Sequence, residues 1–192
     1  INSDEFAVVI DTRGRHEFMA NHLKGALFAP VNKAFNTTVG SFVMEDEHIY
    51  LVVEEEKLHE AILDLFRIGL DYIKGYITPC ELYAKQDLKM ITTETITFEE
   101  FDSYNESGNY RVLDTRKGSE HVIGAIPGAL NFAHTRIIEN LDKIPTDKPL
   151  LIHCKVGGRA AYTSALLQKY GYEVVLVADK VEPYLQPVSY TH

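Results

Sequence analysis

The chain has 192 residues, 45% of them hydrophobic, and a formal net charge of −9. This length allows one large or two small globular domains with real cores, and the acidic balance excludes a general nucleic-acid binder, which needs clustered Lys and Arg. No apolar run approaches the ~18 residues of a membrane span and no signal peptide is visible, while the two cysteines, Cys80 and Cys154, are too few for a disulfide framework. A reducing cytoplasm is the expected compartment, with no nucleic-acid or membrane partner. The first residue is Ile1 rather than Met, which reads as a fragment.

In chain order, residues 6–11 form a short β-rich run that ends in Asp11. A buried strand is predicted at 49–53, a helix at 57–68 that stops before Gly69, and a strand at 72–77. A linker is predicted between Ala84 and Thr97. "TFEE", from Thr97 to Glu100, is a capping box that opens a helix. Strands follow at 110–114, 150–153 and 173–177, with a helix at 159–170 that stops before Gly171. Gly at both helix ends suits a left-handed C-cap. This alternation of short strands and helices predicts an α/β fold, with mainly parallel sheets flanked by helices on both faces.

"VIDTRGRHEFMANHLKGALFA" from Val9 and "VLDTRKGSEHVIGAIPGALNFA" from Val112 align without a gap. The offset that sets Asp11 on Asp114 also sets Arg13 on Arg116, Glu17 on Glu120, Gly25 on Gly128, Ala26 on Ala129 and Leu27 on Leu130. The chain therefore reads as a duplicated domain, with copies at 1–88 and 89–192. The period is too long for a solenoid repeat, so each copy should have its own core. The capping-box helix has no equivalent in the first copy, as if about a dozen residues were missing before Ile1.

"LLIHCKVGGRAAYTSALLQKYG", from Leu150 to Gly171, holds the chemistry. Cys154 lies at the carboxyl end of a central strand, where open α/β sheets place their ligand sites. Lys155, Val156, Gly157 and Gly158 lead into the helix. Glycines let successive N–H groups converge, and a helix N-terminus adds donors and positive potential. Lys155 and Arg159 add full charges. These features favour the reactive thiolate and an anionic ligand over a merely buried cysteine.

"CKVGGRA" after a strand resembles the active-site loop of rhodanese-type sulfurtransferases. "VLDTRKGSEHVIGAIPGALNFA" resembles the upstream signature of the same family, and the likeness recurs once per copy. The resemblance implies two rhodanese-like domains. It implies that Cys154 takes sulfane sulfur from a donor such as thiosulfate, becomes a persulfide and passes the sulfur to a thiophilic acceptor. The N–H groups from Lys155 through Val156, Gly157 and Gly158 to Arg159 would surround that sulfur, and the Lys155 and Arg159 side chains would help hold the donor. No cofactor is implied. Tandem arrangements of this kind also resemble the rhodanese part of persulfide dioxygenase-like fusions, in which an upstream iron-containing metallo-β-lactamase-fold domain makes or uses the persulfide. The HxHxDH motif of such a domain is absent from the sequence.

The first copy departs from the pattern. Val52 or Val53 stands where the cysteine should be, followed by Glu54, Glu55, Glu56 and Lys57. It has no nucleophile and no glycines, so it reads as inactive. Cys80, beside Pro79 and without basic neighbours, reads as structural. No histidines fall at metal-binding spacing, so no metal site is expected. Arg116 and Glu120 read as an internal ion pair, with Arg13 and Glu17 as its equivalent, and His153 as packed behind the loop. Two rival functions are a cysteine phosphatase and a non-catalytic interaction module. The phosphatase needs Arg six residues after the cysteine. Here that position is Ala160, and Arg159 comes one residue earlier. The intact Cys154 loop argues against the module.

Overall fold

A computed structural model describes residues 7–187, so Phe6, expected at the head of the first strand, lies outside the described residues. The chain divides into two compact units, Ile1–Thr92 and Thr93–His192.

The first unit runs β1 (Ala7–Asp11), α1 (Arg15–Ala20), β2 (His22–Leu23), β3 (Leu27–Phe28), α2 (Phe35–Gly40), β4 (His48–Val52), α3 (Glu55–Arg67), β5 (Ile73–Ile77), α4 (Pro79–Ala84) and β6 (Met90–Ile91). Its main sheet has the order β3-β1-β4-β5, and every pairing is parallel. β2 and β6 form a separate antiparallel pair. The stretch between Ala84 and Thr97, expected as a linker, therefore carries structure: Met90 pairs with Leu23 and Ile91 with His22.

The second unit runs β7 (Glu94–Ile96), α5 (Phe98–Glu106), β8 (Arg111–Asp114), α6 (Gly118–Ile123), β9 (Leu130–Asn131), 3₁₀ turns at His134–Arg136 and Ile138–Lys143, β10 (Leu150–His153), α7 (Gly158–Lys169), β11 (Val174–Val177) and a last 3₁₀ turn at Glu182–Tyr184. The sheet order is β7-β11-β10-β8-β9, again parallel throughout. The Thr97 N–H donates to Glu100 Oε2 at 2.9 Å, so the capping box opens α5 as its sequence predicts. Gly69 and Gly171 follow α3 and α7 at φ +79° and +85°, the left-handed region that ends a helix cheaply only at glycine.

β10 is central, and all four of its residues are buried. Successive side chains on a strand point to opposite faces. Leu151 therefore joins Val112 and Val175 in a cluster closed by Phe98 and Phe101 of α5. Leu150 and Ile152 point the other way and are equally buried, and α7 packs on β10 and β11. A strand covered on both faces must be a continuous apolar run, and "LLI" is one. Each such side chain, fully buried, stabilises the fold by about 1.5–3 kcal/mol.

The two units repeat each other's hydrogen bonds. The N–H and hydroxyl of Thr12 both donate to the Val52 carbonyl at 2.9 Å, and those of Thr115 both donate to the His153 carbonyl at 2.9 Å. Ala29 N–H donates to the Asp11 carbonyl, and Phe132 N–H to the Asp114 carbonyl. Arg13 and Arg116 each fold back onto the carboxylate two residues earlier. Since Val52 matches His153, the residue matching Cys154 is Val53. β7 and α5 have no counterpart among the described residues of the first unit. There, Val9, Leu23, Tyr50, Val52 and Ile77 help line an open apolar cleft of about 680 Å³. Val9 and Leu23 match Val112 and Ile126, which α5 helps to cover in the second unit.

Among the described residues, no helix is long and apolar enough to cross a membrane, and no cluster of His, Cys, Asp and Glu is arranged to hold a metal ion.

Candidate active site

β10 ends at His153 and delivers Cys154 into a short loop. The cysteine is 1% exposed, and its Sγ accepts the Gly157 N–H at 3.1 Å. Gly157 makes this possible. It adopts φ +90° and ψ −18° as the residue before α7, a conformation that turns the backbone back over the sulfur and that side chains resist. α7 then starts at Gly158, one residue before the expected Arg159. Its first ladder bond is Ala161 N–H to the Gly157 carbonyl. The N–H groups ahead of Ala161 open the helix with the donors and positive potential that attract an anion.

The other loop residues divide between core and solvent. Val156 is half-exposed at the loop's tip. The Lys155 ammonium lies 3.6 Å from Glu182 Oε1, with both side chains in solvent. The Lys155 carbonyl accepts the Val181 N–H, which pins the start of the loop. Arg159 reaches back toward the cysteine. Its guanidinium pKa is raised, first by the hydrogen bond to Glu120 against the opposing effect of burial, and further by the charge of Glu120 and by the Cys154 sulfur.

Arg159 also makes the site's strongest polar contact. Nη1 and Nη2 donate to the two carboxylate oxygens of Glu120 at 2.5 and 2.9 Å, a bidentate fork. This fork holds the Glu120 carboxyl down to about 2, aided by the Lys117 N–H, against a smaller opposing effect of burial. The expected Arg116–Glu120 pair does not form. Arg116 binds Asp114 through Nε and Nη2 and donates to the Gly124 carbonyl. Its equivalent, Arg13, binds Asp11, the Asn21 carbonyl and Tyr83. Both arginines are buried, and the nearest carboxylate is the one closing their own strand, so they turn inward. That leaves Glu120 and Glu17 each to cap a helix: Lys117 N–H donates to Glu120 at 3.1 Å and Gly14 N–H to Glu17 at 3.3 Å. Only Glu120 gains an arginine partner as well.

Behind the loop, His153 is fully buried and meets Phe98 edge-on at 6.1 Å between centroids. Neither ring nitrogen has a hydrogen-bond partner, and burial pushes the imidazole down to about 4. His134, unremarked in the sequence, is also pushed down to about 4, first by burial and then by the charges of Arg159 and Lys117. Both rings are neutral at pH 7. The chemistry on offer is therefore a sulfur nucleophile in a cradle of backbone donors beside a guanidinium, with the His153 and His134 rings uncharged. Asp114, beneath the site, stays ionised. Burial alone would raise its pKa, but hydrogen bonds with Arg116 and His121 hold it below the usual range.

The first unit offers none of this. Val53 is buried, and Glu54 alone separates it from α3. Residues 155–157 separate Cys154 from α7. The first unit's turn is thus two residues shorter and acidic. Cys80, expected as structural, is exposed on α4 and so has no packing role.

A search with the whole sequence matches no curated protein. A solved rhodanese-like domain protein from Staphylococcus aureus is similar at 25% identity and a TM-score of 0.46, over 50% of this chain and 100% of its own. A Staphylococcus saprophyticus protein is similar at 27% identity and a TM-score of 0.44, over 49% of this chain and 99% of its own. A thiosulfate sulfurtransferase from Pseudomonas aeruginosa covers 91% of this chain with 38% of its own, at 16% identity and a TM-score of 0.40. The family model described as "Rhodanese-like domain" matches residues 97–180, a span that runs from the α5 capping box past β11 and encloses Cys154 and its whole loop. Residues 97–180 are a rhodanese-like domain.

Proposed function

We propose that the chain is a sulfurtransferase that moves sulfane sulfur from thiosulfate or a persulfide to a thiophilic acceptor through Cys154. The observation that carries this reading is the Cys154 sulfur at the end of β10, receiving the Gly157 N–H at 3.1 Å within a rhodanese-like domain. The Cys154 thiolate attacks the outer sulfur of the donor. The donor's S–S bond breaks, and sulfite or a thiolate leaves with the electron pair. The new terminal sulfur carries the negative charge, which the Gly157 N–H and the helix N-terminus stabilise. An acceptor such as cyanide or a thiol then attacks that sulfur and returns Cys154 as thiolate. Lys155 and Arg159 stand at the mouth of the loop, each facing a carboxylate.

In the same reading the first unit is a rhodanese-like copy without chemistry, because Val53 replaces the nucleophile and its turn is short and acidic. The test is the mass of the protein after incubation with thiosulfate. The expected result is a gain of one sulfur atom, removed by cyanide and absent in Cys154→Ser. Uptake that survives in Cys154→Ser overturns the assignment. So does turnover of an aryl phosphate that depends on Cys154.

A further inference from the structure

Glu120 and Arg159 lie 39 residues apart in sequence, on α6 and α7, yet meet as a fork beside Cys154. The pair is only part-exposed, at 22% for Arg159 and 33% for Glu120. Its geometry fixes the guanidinium and cancels its charge at close range. The first unit supplies a built-in comparison. Glu17 caps α1 as Glu120 caps α6. Counting from the first residue of each helix, the α3 position that matches Arg159 is Glu56. The carboxylate thus recurs where it serves only as a cap. Beside Cys154 it has an arginine as well, and its second role belongs to the site.

We infer that Glu120 is the positioning residue that sets the charge the site offers a donor: it holds Arg159 beside the Cys154 loop while neutralising it, so the site favours donors of low negative charge over dianions. The inference rests on the proposed function for its meaning, since a donor must reach Cys154. The loop's other cation, Lys155, is in solvent and faces Glu182, so it does not restore a strong positive field. Within the loop, a dianion is drawn by the backbone donors and the helix terminus. A donor with a single charge loses less by comparison.

The test uses the full chain in a Cys80→Ser background, because Cys80 is exposed. Cys154 is labelled with three small reagents that differ in charge: neutral methyl methanethiosulfonate and its anionic sulfonatoethyl and cationic trimethylammonioethyl analogues. In each, Sγ attacks the sulfenyl sulfur, a disulfide forms and methanesulfinate leaves. Glu120→Gln keeps the cap and removes the charge. It should speed the anionic reagent by about three- to tenfold at low salt, slow the cationic one by a similar factor and leave the neutral one unchanged, with the differences shrinking at high salt. Arg159→Gln should move the rates in the opposite sense. Glu17→Gln should leave all three alone. Equal changes for all reagents, no change, or a shift caused by Glu17→Gln would refute the role of Glu120 and leave the sulfurtransferase reading standing. Failure of every reagent to label Cys154 would instead refute the reachable nucleophile, and the proposed function with it.

Discussion

Gly157→Ala tests whether the loop's backbone is the working part of the site. Gly157 stands at φ +90°, and its N–H is the donor that reaches Cys154 Sγ at 3.1 Å. An alanine there must either adopt the left-handed conformation, at about 1–2 kcal/mol, or leave it. Staying lowers stability; for a unit of roughly 100 residues, each kcal/mol lowers the melting temperature by about 4–8 °C. Leaving turns the N–H away from the sulfur. A hydrogen bond to a charged group contributes about 1.5–3 kcal/mol, so its loss slows sulfur transfer roughly ten- to a hundredfold. Gly158 provides the contrast. It lies in α7, its φ is not positive, and a Cβ there meets nothing within 4 Å. Gly158→Ala should raise the melting temperature, by up to about 1 kcal/mol of added stability from the stiffer unfolded chain. The assays are thermal unfolding and the rate of sulfur transfer from thiosulfate to cyanide. A Gly157→Ala protein that keeps both its melting temperature and its rate would refute the argument, because the left-handed turn would then be dispensable.

Asp114→Asn should destabilise the second unit by about 3–5 kcal/mol in urea unfolding, because it strands the buried Arg116 guanidinium without its counter-charge. A loss under about 1 kcal/mol would show that water reaches the pair. Acid should weaken the same unit. The Glu120 carboxyl is held at about 2, so its contribution is complete above pH about 4.5 and is lost as pH falls through about 2; that of Asp114 is also held below its ordinary value, so its contribution too is present at neutral pH and is lost in acid. The Glu120 share is under about 1 kcal/mol because the pair is part-exposed, and Glu120→Gln should flatten the acid limb by no more than that.

The parts of the site legible in sequence were the local ones. "LLIHC" is a strand buried on both faces, and "GG" before a helix announces a turn, so Cys154, Gly157 and Gly158 could be placed from neighbours alone. The repeated contacts were legible for the same reason: Asp11 with Arg13, and Asp114 with Arg116, pair over two residues. What the sequence hid was partnership at a distance. Glu120 and Arg159 lie on different helices, and the recurrence of Glu17 in an unarmed copy argued for a purely structural role. The ion pairs with Arg116 and Arg13 that this implied do not form; both carboxylates cap helices instead. His134 gave no signal, because its neighbours Arg159 and Lys117 are brought to it only by the fold. Cys80 was misread because a proline beside a cysteine says nothing about which side of α4 faces water.

Glu54 alone separates Val53 from α3, whereas residues 155–157 separate Cys154 from α7. A side chain can be exchanged one codon at a time, but the path of a backbone changes only when its length does. Val53→Cys would bring a thiol to the end of β4 beneath a turn with too few peptide units to wrap it, and with a carboxylate in place of the glycine that bends back over the sulfur. On the proposed function, the second unit would be silenced by a single substitution at Cys154. On the same reading the first would be armed only by inserting backbone, so the two units would stand on opposite sides of a step that point mutation crosses in one direction.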